Sequence, residues 1–209
     1  ACPPTEPIAL RSIPTQDPIP LTKAGYHTAV PDSHFDHTLF IGDSLTNGLE
    51  LFGTLKNASY FCATSATAAG TLADPNLTTR LTSHSYDAIY LLLGINEMGT
   101  NPDIYATRMG QLIELVRSHQ PNAHIYLQTI LPAVPEKTWS QTVFSVANIQ
   151  AANTALRTLA AKKDVTLVDT YYAFADQNGR MPDGITSDGV HLYPKNYAIW
   201  CDYLRTHTI

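Results

Sequence analysis

The chain contains 209 residues with a hydrophobic fraction of 44% and a charged fraction of 15%, and its formal net charge at pH 7 is −5. This length allows one well-packed core, and the lack of a Lys and Arg cluster argues against nucleic acid as a partner. No apolar run approaches the ~20 residues that a membrane-spanning helix needs, so no transmembrane segment is predicted.

Residues 1–30 differ in composition from the rest of the chain. Six prolines fall within the first twenty residues, which predicts an extended linker ahead of a single domain at residues 31–209. Cys2 precedes this linker, as the acylated cysteine does in a processed bacterial lipoprotein. We predict a secreted or extracytoplasmic protein; a lipid anchor at Cys2 is one alternative, and a cytoplasmic location also stays open.

The domain begins with the histidine cluster His34-Phe35-Asp36-His37. A third metal ligand at a recognisable spacing is missing, so we interpret the cluster as a surface turn and predict no metal ion. Cys62 and Cys201 lie among apolar neighbours, which favours two buried free thiols; a Cys62–Cys201 bridge is the alternative.

Five short apolar runs rich in β-forming residues alternate with helical segments. The predicted strands are residues 38–41, 59–62, 88–93, 123–130 and 165–168. The predicted helices are residues 45–55, a weaker one at 77–84, 102–119, 143–163 and a last one at 194–207. This alternation predicts an α/β fold, a three-layer α/β/α sandwich with a five-stranded parallel sheet, whose functional site lies beyond the carboxyl ends of the strands.

Residues that can activate a hydroxyl group occur at both ends of this pattern. Ser44 follows the first predicted strand in Gly42-Asp43-Ser44-Leu45, and Asp188 precedes His191 by three residues in the last loop. A serine hydroxyl becomes a good nucleophile when an imidazole takes its proton and a carboxylate holds that imidazole. We predict Ser44 as the nucleophile, His191 as the base and Asp188 as the orienting carboxylate of a catalytic triad without a cofactor. Asp43 is predicted to accept from nearby backbone N–H groups instead.

These motifs, in this order, resemble the GDSL, or SGNH, hydrolase family from about residue 38 to residue 204. The resemblance implies a flavodoxin-like strand order and an oxyanion hole formed by the Ser44 N–H, a backbone N–H of the second sequence block and the Asn96 side chain. Our alignment places Ala63 in the second block, where the family has glycine. Gly94-Ile95-Asn96-Glu97 also departs from the family, which has aspartate after the asparagine.

The resemblance implies an ester hydrolase without choosing the substrate. Two loops at the same end of the sheet, residues 131–141 and 171–181, contain no apolar amphipathic lid that a long acyl chain would favour. We therefore predict a small-molecule or glycan ester with a short acyl group, such as O-acetylated carbohydrate. Trp139 on the first loop could stack on a sugar ring, but we expect it to pack inward as core.

Other classes of function stay open at this point. An acyltransferase would use the same Ser44, Asp188 and His191, and a lysophospholipase or thioesterase would differ only in its substrate. A non-catalytic binding domain is the least favoured, because all three of these residues are present. The sequence does not indicate an oligomeric state.

Overall fold

The computed structural model describes residues 26–209, so the proposed anchor at Cys2 and most of the predicted linker lie outside the described residues. The fold is built on a five-stranded parallel sheet with the strand order β2-β1-β3-β4-β5. The strands are β1 (Thr38–Gly42), β2 (Ser59–Cys62), β3 (Ala88–Leu92), β4 (His124–Gln128) and β5 (Thr166–Val168). This is the flavodoxin-like order, so the predicted fold class is confirmed.

Helices cover the sheet on both faces. They are α1 (Ser44–Phe52), α2 (Ala68–Ala73), α3 (Pro75–Ser83), α4 (Pro102–His119), α5 (Val146–Lys163), α6 (Thr170–Phe174) and α7 (Tyr197–Thr206). Helix α1 contacts α7, whereas α4 contacts α2, α3 and α5. Right-handed crossovers between parallel strands place these two groups on opposite sides of the sheet.

The central strands are apolar because both of their faces are covered. Every residue of β1 and of β3 is buried, as expected for parallel strands packed between two layers of helices. Aromatic rings form part of this core, and Tyr90 stacks on Tyr126 with ring centroids 4.2 Å apart. Continuous apolar runs of strand length therefore located the sheet correctly.

Helix ends differ from the prediction where capping residues determine them. Helix α5 begins at Val146 and not at residue 143, because the Ser145 side chain accepts from the Asn148 N–H and caps the helix. The last predicted helix opens with a 3-10 turn, Pro194–Asn196, before α7 begins. The short helices α2 and α6 were not predicted.

Both cysteines of the domain lie within the described residues. Cys62 and Cys201 are both free, as predicted, although Cys62 is only half-buried. In the part of the chain that the structure describes, no helix is both long and apolar enough to span a membrane. Within residues 26–209 no group of three His, Cys, Asp or Glu side chains is arranged to hold a metal ion, and His34 Nε2 instead lies 3.2 Å from Thr208 Oγ1.

Candidate active site

The strand register brings three separate loops to one edge of the sheet. Gly42, the last residue of β1, pairs with Cys62 at the end of β2 and with Leu92 at the end of β3. The chain leaves all three strands at the same level, and the next residues include Ser44, Ala63 and Asn96. The sheet therefore positions these three predicted site residues close to one another.

Ser44 is the first residue of α1 and is held there by its neighbour. Asp43 is the N-cap, and its Oδ1 accepts from the Leu45 N–H at 2.9 Å, which confirms the predicted role of Asp43. The Ser44 N–H makes no hydrogen bond to any residue that the structure describes. It is one of the free donors at a helix N-terminus, where the helix dipole favours negative charge.

His191 connects Ser44 to Asp188. Ser44 Oγ lies 2.8 Å from His191 Nε2, and His191 Nδ1 lies 2.7 Å from Asp188 Oδ2. The other oxygen of Asp188 accepts from the backbone N–H groups of Val190 and His191 at 2.9 and 2.8 Å. The loop thus forms a tight turn around the Asp188 carboxylate and aims the imidazole at the serine.

The protonation state of Asp188 determines which ring nitrogen of His191 carries the proton. Partial burial alone would raise the pKa of Asp188, but the Val190 N–H and the His191 side chain and N–H outweigh it and lower the pKa to about 2. An ionised carboxylate can only accept, so His191 Nδ1 must donate to it. Nε2 is then left as the acceptor of the Ser44 hydroxyl proton.

The loop after β2 contains the predicted residue Ala63 and an uncommon backbone conformation. The Ala63 N–H donates to the Gly42 carbonyl at 3.4 Å and must leave that bond before it can reach an oxyanion. Its role therefore stays a prediction. Ser65, two residues later, has a φ of 62°, a left-handed conformation that is uncommon outside glycine. Such strained residues are concentrated at functional sites.

Asn96 lies in the 3-10 turn Ile95–Glu97 directly after β3. Its Nδ2 donates to the Ala66 carbonyl at 2.9 Å, which occupies one of its two N–H groups and leaves the second available. Gly94 makes this turn possible because its φ is 129° and a Cβ there would lie 2.5 Å from the Tyr105 hydroxyl. Asn96 is therefore fixed against the loop that carries Ala63 and Ser65.

Glu97 departs from the family motif and makes contacts that the sequence did not indicate. Its Oε2 accepts from the Ala68 N–H at 2.7 Å, at the start of α2, and its Oε1 lies 3.5 Å from Arg108. Its side chain is only 3% exposed. Asn96 and Glu97 thus bind the same loop from consecutive positions, and only the folded geometry reveals that function of Glu97.

Trp139 lies on the loop between β4 and α5, and the expectation that it packs inward is wrong. Its side chain is 82% exposed. The buried ring nearby is that of Phe144, which meets the indole edge to face with ring centroids 5.4 Å apart. The loop buries Phe144 and leaves Trp139 at the surface.

Comparison with known proteins identifies one family and one fold. The model of the GDSL-like lipase/acylhydrolase family matches residues 40–199. A Streptococcus pneumonia protein provisionally described as a platelet activating factor is 26% identical, with a TM-score of 0.66 over 83% of this chain and 87% of its own. No curated protein matches this chain.

Two further solved structures share the fold at lower identity. A GDSL-like lipase from Bacteroides thetaiotaomicron is 17% identical, with a TM-score of 0.63 over 86% of this chain and 89% of its own. A carbohydrate acetylesterase from Sinorhizobium meliloti is also 17% identical, with a TM-score of 0.62 over 80% of this chain and 95% of its own.

The buried Asp43 carboxyl predicts a pH-dependent stability. Burial raises its pKa to about 7, although the Leu45 N–H and the nearby His191 act in the opposite direction. Its Oδ2 is buried and has no hydrogen-bond partner among the residues described. In the unfolded chain an aspartate loses its proton near a pH of about 4. Ionisation therefore favours unfolding, and the stability that the protonated form provides is lost as the pH rises from about 4 to 7.

Asp43→Asn removes this ionisation and keeps an oxygen that can accept from Leu45. We expect the free energy of unfolding of the variant, relative to wild type, to rise by about 3 kcal/mol between pH 4 and pH 8. Urea unfolding at both pH values measures this difference. A difference that does not change with pH would show that Asp43 stays ionised in the folded protein over this range.

Proposed function

Because the chain belongs to the GDSL-like lipase/acylhydrolase family, we propose that it is a serine ester hydrolase that acts through an acyl-enzyme. The observation that carries this proposal is the unbroken hydrogen-bonded chain from Asp188 through His191 to Ser44, with distances of 2.7 and 2.8 Å. In this proposal Ser44 is the nucleophile, His191 the general base and Asp188 the group that orients it.

The first half of the reaction forms the acyl-enzyme. Ser44 Oγ attacks the ester carbonyl while its proton moves to His191 Nε2, and Asp188 stabilises the imidazolium. The tetrahedral intermediate collapses, the bond to the alcohol oxygen breaks, and the leaving alcohol takes the proton from Nε2. The acyl group is then bound to Ser44 Oγ.

The second half returns the enzyme to its starting state. Water gives a proton to His191 Nε2 and attacks the acyl carbon, and the departing Ser44 oxygen recovers that proton as the carboxylic acid is released. The His191 side chain is 45% exposed, so water can reach the acyl-enzyme.

Negative charge on the carbonyl oxygen needs donors that are already in place. We assign this role to the free Ser44 N–H and to the N–H of Asn96 Nδ2 that does not bind Ala66. Ala63 stays the predicted second-block donor. Ser65 is an alternative to it, because its N–H has no partner among the described residues and its left-handed φ turns the backbone at this point.

For the substrate we propose an ester with a short acyl group, above all an acetyl group on a carbohydrate. Solved structures of the same fold include carbohydrate acetylesterases from Sinorhizobium meliloti and an acetyl-xylooligosaccharide esterase from Geobacillus. The loop beside His191 supports a polar substrate, since Glu136 and Lys137 on it pair with Arg180 and Asp183. A lysophospholipase or thioesterase is the alternative.

The identity of the nucleophile is tested by covalent labelling. A fluorophosphonate should modify wild-type protein at Ser44 with one label per chain, and Ser44→Ala should lose both the label and ester turnover while remaining folded. Ser187→Ala is the matched control, because Ser187 is exposed beside Asp188 but has no role in this proposal. Labelling that persists in Ser44→Ala would overturn the assignment.

Acyl length is tested with a series of p-nitrophenyl esters. We expect kcat/KM to be higher for the acetate or butyrate than for the dodecanoate, because the site loops provide no apolar cover for a long chain. Rates are measured below the micellar concentration of each ester. A steady rise of kcat/KM toward long chains would reject the short-acyl proposal in favour of a lipase or thioesterase.

Asn96→Ala tests the proposed oxyanion contact. A donor that acts mainly on the developing charge should affect kcat, so we expect kcat to fall by about 10²–10³ with little change in KM. Asn101→Ala is the control, since Asn101 caps α4 five residues later and should affect thermal stability with near-normal kcat. If Asn96→Ala behaves like this control, the oxyanion is held by other groups.

A further inference from the structure

The indole of Trp139 is exposed, but neighbouring contacts restrict its backbone and its ring. Directly before it, the Thr138 N–H and hydroxyl both donate to the Pro135 carbonyl, at 3.1 and 2.7 Å. On the C-terminal side of Trp139, the Phe144 N–H donates to the Ser140 carbonyl at 3.1 Å. The hydrogen bonds on both sides fix the backbone that carries the indole, and contact with Phe144 restricts its ring.

The loop that carries Trp139 is also attached to the loop of the proposed base. The Val134 N–H donates to the Gly189 carbonyl at 2.8 Å. Gly189 has a φ of 89°, and a Cβ at this position would lie 2.9 Å from the Thr138 methyl group. Gly189 therefore packs directly against the residue that precedes Trp139, and it is itself only two residues from His191. The loop that carries the indole therefore borders the proposed site.

The surroundings of the indole are polar. Lys137 lies 4.0 Å from the fully exposed Asp183, and Glu136 pairs with Arg180. Apart from Trp139, no large apolar side chain within residues 131–145 is exposed, since Leu131, Val134 and Phe144 are buried and Val143 is half-buried. A lipid surface or a long acyl chain would need a continuous apolar area, which this part of the rim does not offer.

We propose that Trp139 is a stacking surface for a sugar ring on the alcohol side of the ester. This inference rests on the proposed esterase function, in which a short acyl group leaves only the alcohol portion to extend beyond Ser44. A pyranose ring has an apolar C–H face and a rim of hydroxyl groups. It therefore matches one rigid indole beside charged hydrogen-bonding side chains.

The inference is tested by comparing two acetyl esters in the same variants. The substrates are O-acetylated tetrasaccharides, prepared from cellotetraose, xylotetraose and chitotetraose, and p-nitrophenyl acetate, which is too small to span the rim. The variants are Trp139→Ala, Trp139→Tyr and the control Tyr26→Ala. Tyr26 is an aromatic residue that is 72% exposed and contacts His207 near the C-terminus of the chain.

Loss of the indole should lower activity only on the acetylated tetrasaccharides. For Trp139→Ala we expect kcat/KM to fall by about 10-fold on at least one acetylated tetrasaccharide, mainly through KM, because stacking contributes on that order. On p-nitrophenyl acetate it should stay within about twofold of wild type, and Trp139→Tyr should keep most of the activity on the tetrasaccharide. Tyr26→Ala should match wild type on both substrates.

Binding is measured independently of turnover by tryptophan fluorescence. The chain has two tryptophans, and Trp200 is completely buried, so a change caused by a surface ligand reports on Trp139. At least one of the three tetrasaccharides without O-acetyl groups should change the emission of wild type or of Ser44→Ala and have no effect on that of Trp139→Ala, in which only the buried Trp200 remains. This measurement decides the inference even if p-nitrophenyl acetate is not hydrolysed, a result that would reject the esterase proposal alone.

Several results would overturn the sugar-stacking inference. They are an equal loss of activity on both substrates, no loss on any tetrasaccharide together with unchanged fluorescence, or a loss confined to p-nitrophenyl dodecanoate. The last result would identify Trp139 as a contact for acyl chains.

Discussion

The strands β1, β2 and β3 end at the same level of the sheet, and the rest of the site depends on this register. Parallel strands of this kind have side chains on alternating faces, so a shift of the register by one residue would turn buried side chains of β1 toward the wrong layer. Burial on both faces therefore fixes the register. The same register delivers Ser44, the loop after β2 and Asn96 to one edge, so packing of the core and assembly of the site have a common cause.

The loop with Asp188 and His191 is not fixed by the sheet and needs other contacts. It is closed by the bridge between Thr186 and Leu192 and by the backbone N–H groups that Asp188 accepts. These N–H groups keep Asp188 ionised, whereas burial raises the pKa of Asp43, whose carboxyl also interacts electrostatically with His191. Two aspartates near one histidine thus differ in acidity because hydrogen bonds outweigh burial at Asp188, whereas burial outweighs the Leu45 N–H at Asp43.

The sheet and the order of the site residues could be predicted from sequence because they depend on local patterns. Apolar runs identified all five strands, and the spacing of Asp188 and His191 anticipated their hydrogen bond. The rest depends on contacts between distant residues. Glu97 reaches the Ala68 N–H across 29 positions, and the Ala63 N–H turns toward Gly42 because of strand pairing. The sequence does not indicate whether Trp139 or Phe144 is the buried ring of this loop. Tertiary packing buries Phe144 and leaves Trp139 exposed.

In the proposed function, specificity would come from loops that the sheet does not determine. The hydrogen bond between Val134 and Gly189 joins the Trp139 loop to the loop of His191. Under the sugar-stacking proposal, a ligand on the Trp139 loop would act on the position of the imidazole through this contact. Binding energy from a sugar remote from the ester group would then contribute to the geometry of proton transfer. An ester without the sugar would lack this contribution to catalysis.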